Sequence, residues 1–74
     1  MKTRYYLFRM GKLVQLNNLD INDTAQYQGY YCLDLGPDLN DARYGMMLGG
    51  RIKDLDSEKF PSAFKAQLLI LGVP

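Results

Sequence analysis

A single cysteine, Cys32, and the absence of histidine constrain this chain more than any other feature. A chain of 74 residues buries only ~60% of the surface its unfolded form exposes, so small domains often recruit a disulfide, a metal or a second subunit. One cysteine rules out an intrachain disulfide. Without histidine the usual Cys/His zinc staple is gone as well. The chain must close an ordinary small core or associate with another molecule.

The length fits one α+β domain, expected to span residues 1–74. Cys32 lies in the apolar run Tyr30-Tyr31-Cys32-Leu33 and reads as a small buried hydrophobe. A lone thiol suits a reducing compartment. The apolar run Tyr5 to Phe8 is too short for a signal-peptide core. No stretch approaches the ~18 apolar residues of a membrane span. The expected location is the cytoplasm, with no membrane partner.

Local patterns predict a small antiparallel sheet of four to five strands. Thr3 to Phe8 and Leu13 to Leu16 read as strands of a first hairpin. Gly11, late in the Arg9–Lys12 connection, suits a type I turn closed by a glycine bulge, because Met10 resists a positive φ. Asn17 to Thr24 reads as a loop of backbone-competing side chains. Gln26 to Leu35 alternates as one long strand, bulged at Gly29, with Tyr27, Tyr31 and Leu33 on one side and Tyr30 on the other. Gly49-Gly50 between Tyr44–Leu48 and Arg51–Leu55 predicts a second hairpin, preceded by a helical turn at 38–42.

The last element is a helix from Pro61 or Ser62 to Leu71, packed on one face of the sheet. Asp56 or Ser57 offers a cap upstream, and Gly72 a left-handed stop. Phe60, Phe64, Leu68 and Leu71 form one stripe. The predicted core is Leu7, Val14, Leu33, Met46, Ile52, Phe60, Phe64, Leu68 and Leu71.

The available chemistry is narrow. Without histidine there is no Ser–His or Cys–His pair and no histidine base. No phosphate-cradling glycine loop occurs. Asp34, Asp38 and Asp41 around Gly36-Pro37, and Asp20 and Asp23 before them, do not follow the EF-hand spacing and read as turn residues. No catalytic residue, metal ligand or cofactor site is expected.

Binding surfaces are the remaining source of function. Six tyrosines exceed what so small a core absorbs, and tyrosine favours interfaces. Leu68-Leu69-Ile70-Leu71 is apolar around the whole helical circumference, whereas a sheet covers one stripe of it. Tyr27, Tyr30, Tyr31, Leu69 and Ile70 are therefore candidate contacts to a partner protein. A second copy of the chain, in a two-fold dimer, is the other candidate occupant. The expected function is a non-enzymatic protein-binding module of accessory or inhibitory type.

The alternative is a nucleic-acid or nucleotide binder. Charge is polarised: residues 1–17 carry four cations and no acid, and residues 18–42 five acids and no base. Lys2, Arg4, Tyr6, Arg9 and Lys12 of the first hairpin could join phosphate neutralisation to base stacking.

Overall fold

The computed structural model describes residues 3–38 and 41–73. Strands β1 (Tyr5–Arg9), β2 (Lys12–Leu16), β3 (Tyr31–Asp34), β4 (Arg43–Leu48) and β5 (Arg51–Asp54) form one antiparallel sheet in the order β2-β1-β3-β4-β5. Helix α1 (Ile21–Gln26) lies on the connection from β2 to β3, and its flanking residues Leu19 and Tyr27 pack on one face. Helix α2 (Ser62–Ile70) seals the other. This is the expected α+β fold, with a five-stranded sheet, two tight hairpins and a C-terminal helix.

Both hairpins close in two residues. Gly49 and Gly50, with φ of 61° and 77°, connect the pair Leu48↔Arg51. Positive φ at both positions is a type I′ turn, whose twist matches the strands it joins. The first hairpin corrects the sequence expectation. Arg9 pairs directly with Lys12, and Met10 takes φ 51° before Gly11 at 82°. This too is type I′. Met10 projects into solvent, so no clash is added to the local cost of left-handed backbone.

Register divides the side chains between two faces. Tyr6 pairs with Leu33, and with Phe8 they face α2. Phe64 stacks on Phe8 at 5.1 Å between ring centroids and on Phe60 at 5.0 Å. Leu7 pairs with Cys32 on the opposite face, where Met47 joins them. Val14 and Ile52 pack at the margin of that second cluster. Met46 was expected in the core, but Met47 is the buried residue. The two-residue turn sets Met47 against Ile52 and turns Met46, paired with Tyr31 and Lys53, to the α2 side.

Residues 17–30 differ most from expectation. Asp23 donates its backbone N–H to Asp20 Oδ1 at 2.8 Å, and Asp20 donates its own to Asp23 Oδ2 at 3.2 Å. This reciprocal capping box satisfies two helix-start donors and turns the predicted loop into α1. The helix consumes Gln26, so the long strand shrinks to Tyr31–Asp34. Gly29, at φ 82°, is part of a turn rather than a bulge. At 38–42, Asp41 N–H donates to the Asp38 carbonyl at 2.9 Å, closing a turn. Residues 39 and 40 of that expected turn lie outside the described residues.

The C-terminal end also departs from prediction at one residue. Asp56 caps a separate 3-10 turn, Ser57–Lys59, accepting from Glu58 N–H at 3.0 Å. Phe60, Phe64 and Leu68 form the buried stripe, but Leu71, expected in the core, is 47% exposed. The helix stops one residue earlier, and Gly72 at φ 75° reverses the chain. Val73 N–H donates to the Leu68 carbonyl and Gly72 N–H to the Leu69 carbonyl, at 2.9 and 3.0 Å. This Schellman closure folds Val73 back over the aromatic cluster.

Candidate functional site

The expected contact residues do not form one surface. Tyr27 caps the end of α1 and meets Tyr30 edge to face at 5.0 Å, and both pack on the α1 side. Tyr31 points the other way, edge to face with Phe60 at 5.7 Å. Only the predicted opposition of Tyr30 and Tyr31 survives, because Tyr27 caps the helix and does not lie on the strand.

Leu69 and Ile70 are 78% and 82% exposed. With Leu71 they form an apolar end to α2 that the sheet does not cover. Beside them lies a cavity of about 320 Å³ lined by Tyr44, Ser57, Phe60, Lys65, Leu68, Leu69 and Val73. Its walls come from β4, the 3-10 turn and the closure after α2. The segment Asn17–Thr24 packs through Leu19 on the other face, away from Leu69, Ile70 and Leu71.

The basic hairpin is dispersed as well. Lys2 lies outside the described residues. Tyr6 and Phe8 are buried against α2, so neither ring is open for stacking. Lys12 is exposed at the hairpin turn, and Arg9 donates to the Gln28 carbonyl at 3.5 Å. Arg4 sits at the other end of β1, about 16 Å from Arg9 at ~3.3 Å per residue.

Arg4 belongs to a different site. Its Nε donates to Asp34 Oδ1 at 2.9 Å, and its guanidinium carbon lies 5.0 Å from the centre of the Tyr5 ring. Asp34 is only 6% exposed. The same Oδ1 accepts Gly36 N–H at 2.7 Å. Arg43, paired with Asp34 across β3 and β4, donates Nη2 to Asp54 Oδ1 at 2.8 Å and to the Ile52 carbonyl at 3.3 Å. These groups border an open groove of about 750 Å³ between the α1 side and β5. Tyr5, Leu19, Thr24 and residues 50–53 complete its border, and the register turns the Arg51 and Lys53 side chains to the α2 side with Leu48 and Met46.

Sequence reasoning missed this groove. Its charges come from positions 4, 34, 43 and 54, which sequence periodicity does not join. The one local signal was Asp34 ending an apolar strand, a buried carboxylate that needs a cation.

The electrostatics follow the geometry. The hydrogen bond to Asp34 raises the Arg4 pKa, and the bond to Asp54 raises that of Arg43. Burial, then the Asp34 charge, raises the Tyr5 phenol. Burial pushes the Cys32 thiol up to about 12, so at neutral pH it is a protonated core group. Among the described residues, no group of three metal-ligating side chains gathers. No helix among them is long and apolar enough to cross a membrane. Comparison with known proteins returns no matching family model, no matching curated protein and no matching solved structure.

Proposed function

We propose that this chain is a non-enzymatic protein-binding module that docks the exposed end of α2 onto an apolar segment of a partner protein. The observation that carries this reading is the contiguous exposure of Leu69, Ile70 and Leu71 beside the cavity between α2 and β4. Exposed apolar side chains standing together mark interaction surfaces far more than scattered ones do. Each is worth ~1.5–3 kcal/mol when fully buried.

The occupant is a foreign segment rather than a second copy. Three side chains fall well short of the ~800 Å² per partner of a standard stable interface, and a two-fold dimer would have to build that area from this patch and its rim. The rim carries a cation: Lys65 lines the cavity beside the patch, and no acid occurs between residues 59 and 73. A segment with apolar anchors and acidic flanks complements it.

The test compares wild type with Leu69→Asp and Ile70→Asp in affinity capture, with light scattering for mass and thermal melting for stability. The expected result is two folded variants, at least one of which loses a partner that wild type holds. That partner should contact the chain through an apolar, acid-flanked segment, as located by cross-linking. Unfolding of both variants would make this turn core and end the proposal. A wild-type dimer that either variant converts to monomer would assign the surface to self-association instead.

A further inference from the structure

We infer that the free edge of β2 pairs with the same edge of a second copy of this chain, joining two five-stranded sheets across a two-fold axis at Val14. This surface is distinct from the apolar end of α2, so the inference goes beyond the foreign-segment reading.

The sheet has two outer strands, β2 and β5, and their edges differ. On β5, Leu55 N–H donates to the Tyr44 carbonyl at 2.9 Å, so alternation turns the backbone groups of Ile52 and Asp54 outward. Arg43 Nη2 donates to the Ile52 carbonyl at 3.3 Å. That contact, with the exposed charges of Arg51, Lys53 and Asp54, blunts the edge against further pairing. Strand β2 has neither device. Its five residues carry one charge, Lys12 beside the turn, and Leu13, Val14 and Leu16 are only half-buried.

The β1–β2 ladder fixes which groups are free. The two-residue turn makes Arg9 and Lys12 a hydrogen-bonded pair, and the Leu16 carbonyl accepts Arg4 N–H at 3.0 Å. Leu13 and Gln15 therefore present their N–H and C=O groups outward. Two antiparallel copies centred on Val14 set Leu13 of each opposite Gln15 of the other, which makes four main-chain hydrogen bonds. The two Val14 side chains then meet in a close, non-hydrogen-bonded pair. Lys12 lies opposite Leu16, roughly 13 Å along the strand from the other Lys12 at ~3.3 Å per residue, where salt screens the repulsion. An axis at Leu13 would run the strand into a turn, and one at Gln15 would carry it past its end.

A two-fold axis normal to the sheet keeps each face on its own side. Leu13 extends the α2 side, and Val14 and Leu16 extend the α1 side. Such an interface is isologous and closed, and the blunted β5 edges stop growth at two copies. One strand pair lies below the ~1,200 Å² of a standard interface, so the dimer depends on concentration.

The experiment is sedimentation equilibrium of the full chain over a dilution series reaching millimolar concentration, with amide hydrogen exchange and a mixed-label NMR sample. The expected result is a dimeric mass at high concentration, with slower exchange of Leu13 and Gln15 as concentration rises. The mixed sample should show cross-chain amide contacts between these two residues. Gln15→Pro deletes an outward N–H and leaves the β1 ladder whole. It removes two of the four bonds and should weaken association at least about tenfold. If Gln15→Pro fails to fold, the cross-chain contacts of wild type decide. Leu69→Asp should dimerise as wild type does, which separates this edge from the α2 surface. A wild type still monomeric at millimolar concentration, a folded Gln15→Pro that associates normally, or loss of the dimer in Leu69→Asp would overturn the inference. Protection of the two amides only when a foreign protein binds would overturn it too, and give the edge to that protein's strand.

Discussion

The two faces of the sheet are built from alternate residues of the same strands, yet they reach different ends. The α2 face receives a nine-residue helix. Tyr6, Phe8 and Leu33 of the sheet meet Phe60, Phe64 and Leu68 and leave the solvent together. The other face receives a helix of six residues, none of them buried. There Leu7, Cys32 and Met47 are sealed, but the far end of the face stays open and carries Arg4, Asp34, Arg43 and Asp54. The difference teaches that the length of the covering element decides where a small sheet can keep charge. A long helix leaves only its own back exposed; a short one leaves a groove.

The sharpest way to break this comparison is to hollow out each face in turn. Phe64→Ala should cost about 3–5 kcal/mol, the range for removing a fully buried aromatic ring. Ile21→Ala on α1 should cost under about 0.5 kcal/mol, as for other exposed sites. Chemical denaturation measures both. Equal losses would mean that α1 seals its face as fully as α2 does.

The next effect belongs to the buried carboxylate. Asp34→Asn keeps the shape but removes the charge that holds Arg4, and should destabilise by about 1–3 kcal/mol. Arg43→Gln, which breaks a pair on the exposed edge, should leave the melting temperature nearly unchanged. A large loss from Arg43→Gln would show that the groove is structural and not merely available.

Cys32 adds a pH signature to the α1 face. Its unfolded thiol ionises near 9.0 and its folded thiol near 12. Between these values the unfolded chain releases a proton that the folded chain retains. Stability from this group is therefore complete below pH 9 and falls as pH rises towards 12, by at most about 1.4 kcal/mol per pH unit. Cys32→Val should remove that slope from denaturation curves measured across the window. An unchanged slope would place the thiol in contact with solvent.

The smallest stability effect is expected at the apolar end of α2. Leu69→Asp and Ile70→Asp should each shift stability by under about 0.5 kcal/mol, because both side chains are exposed. A loss above 2 kcal/mol in either variant would make that end part of the core.

Much of the α2 half was legible in the sequence because its signals act within a few residues. The stripe from Phe60 to Leu68 repeats every four positions, Gly72 stops the helix, and Gly49-Gly50 fits one kind of turn. Residues 17–30 were misread for an equally local reason. Asn, Asp and Thr serve loops and helix caps alike, and the Asp20–Asp23 pair became a capping box only with a helix behind it. The period-two pattern through Tyr27 and Gly29 then belonged to a helix end and a turn. Of the candidate contacts, Leu69 and Ile70 could be read from a helical turn with too many apolar sides. The groove could not.

The sequence by itself determined the class of fold, the two hairpins, the C-terminal helix and the exclusion of disulfide and Cys/His zinc staples. These depend on composition, and on neighbours whose spacing along the chain equals their spacing in the element. The tertiary structure alone decided that Met47 rather than Met46 is buried, that Tyr6 is core while Arg4 turns to Asp34, and that Arg43 reaches Asp54. Each of these depends on register between strands. A shift of one residue exchanges the two faces, so only the assembled sheet says which charges meet.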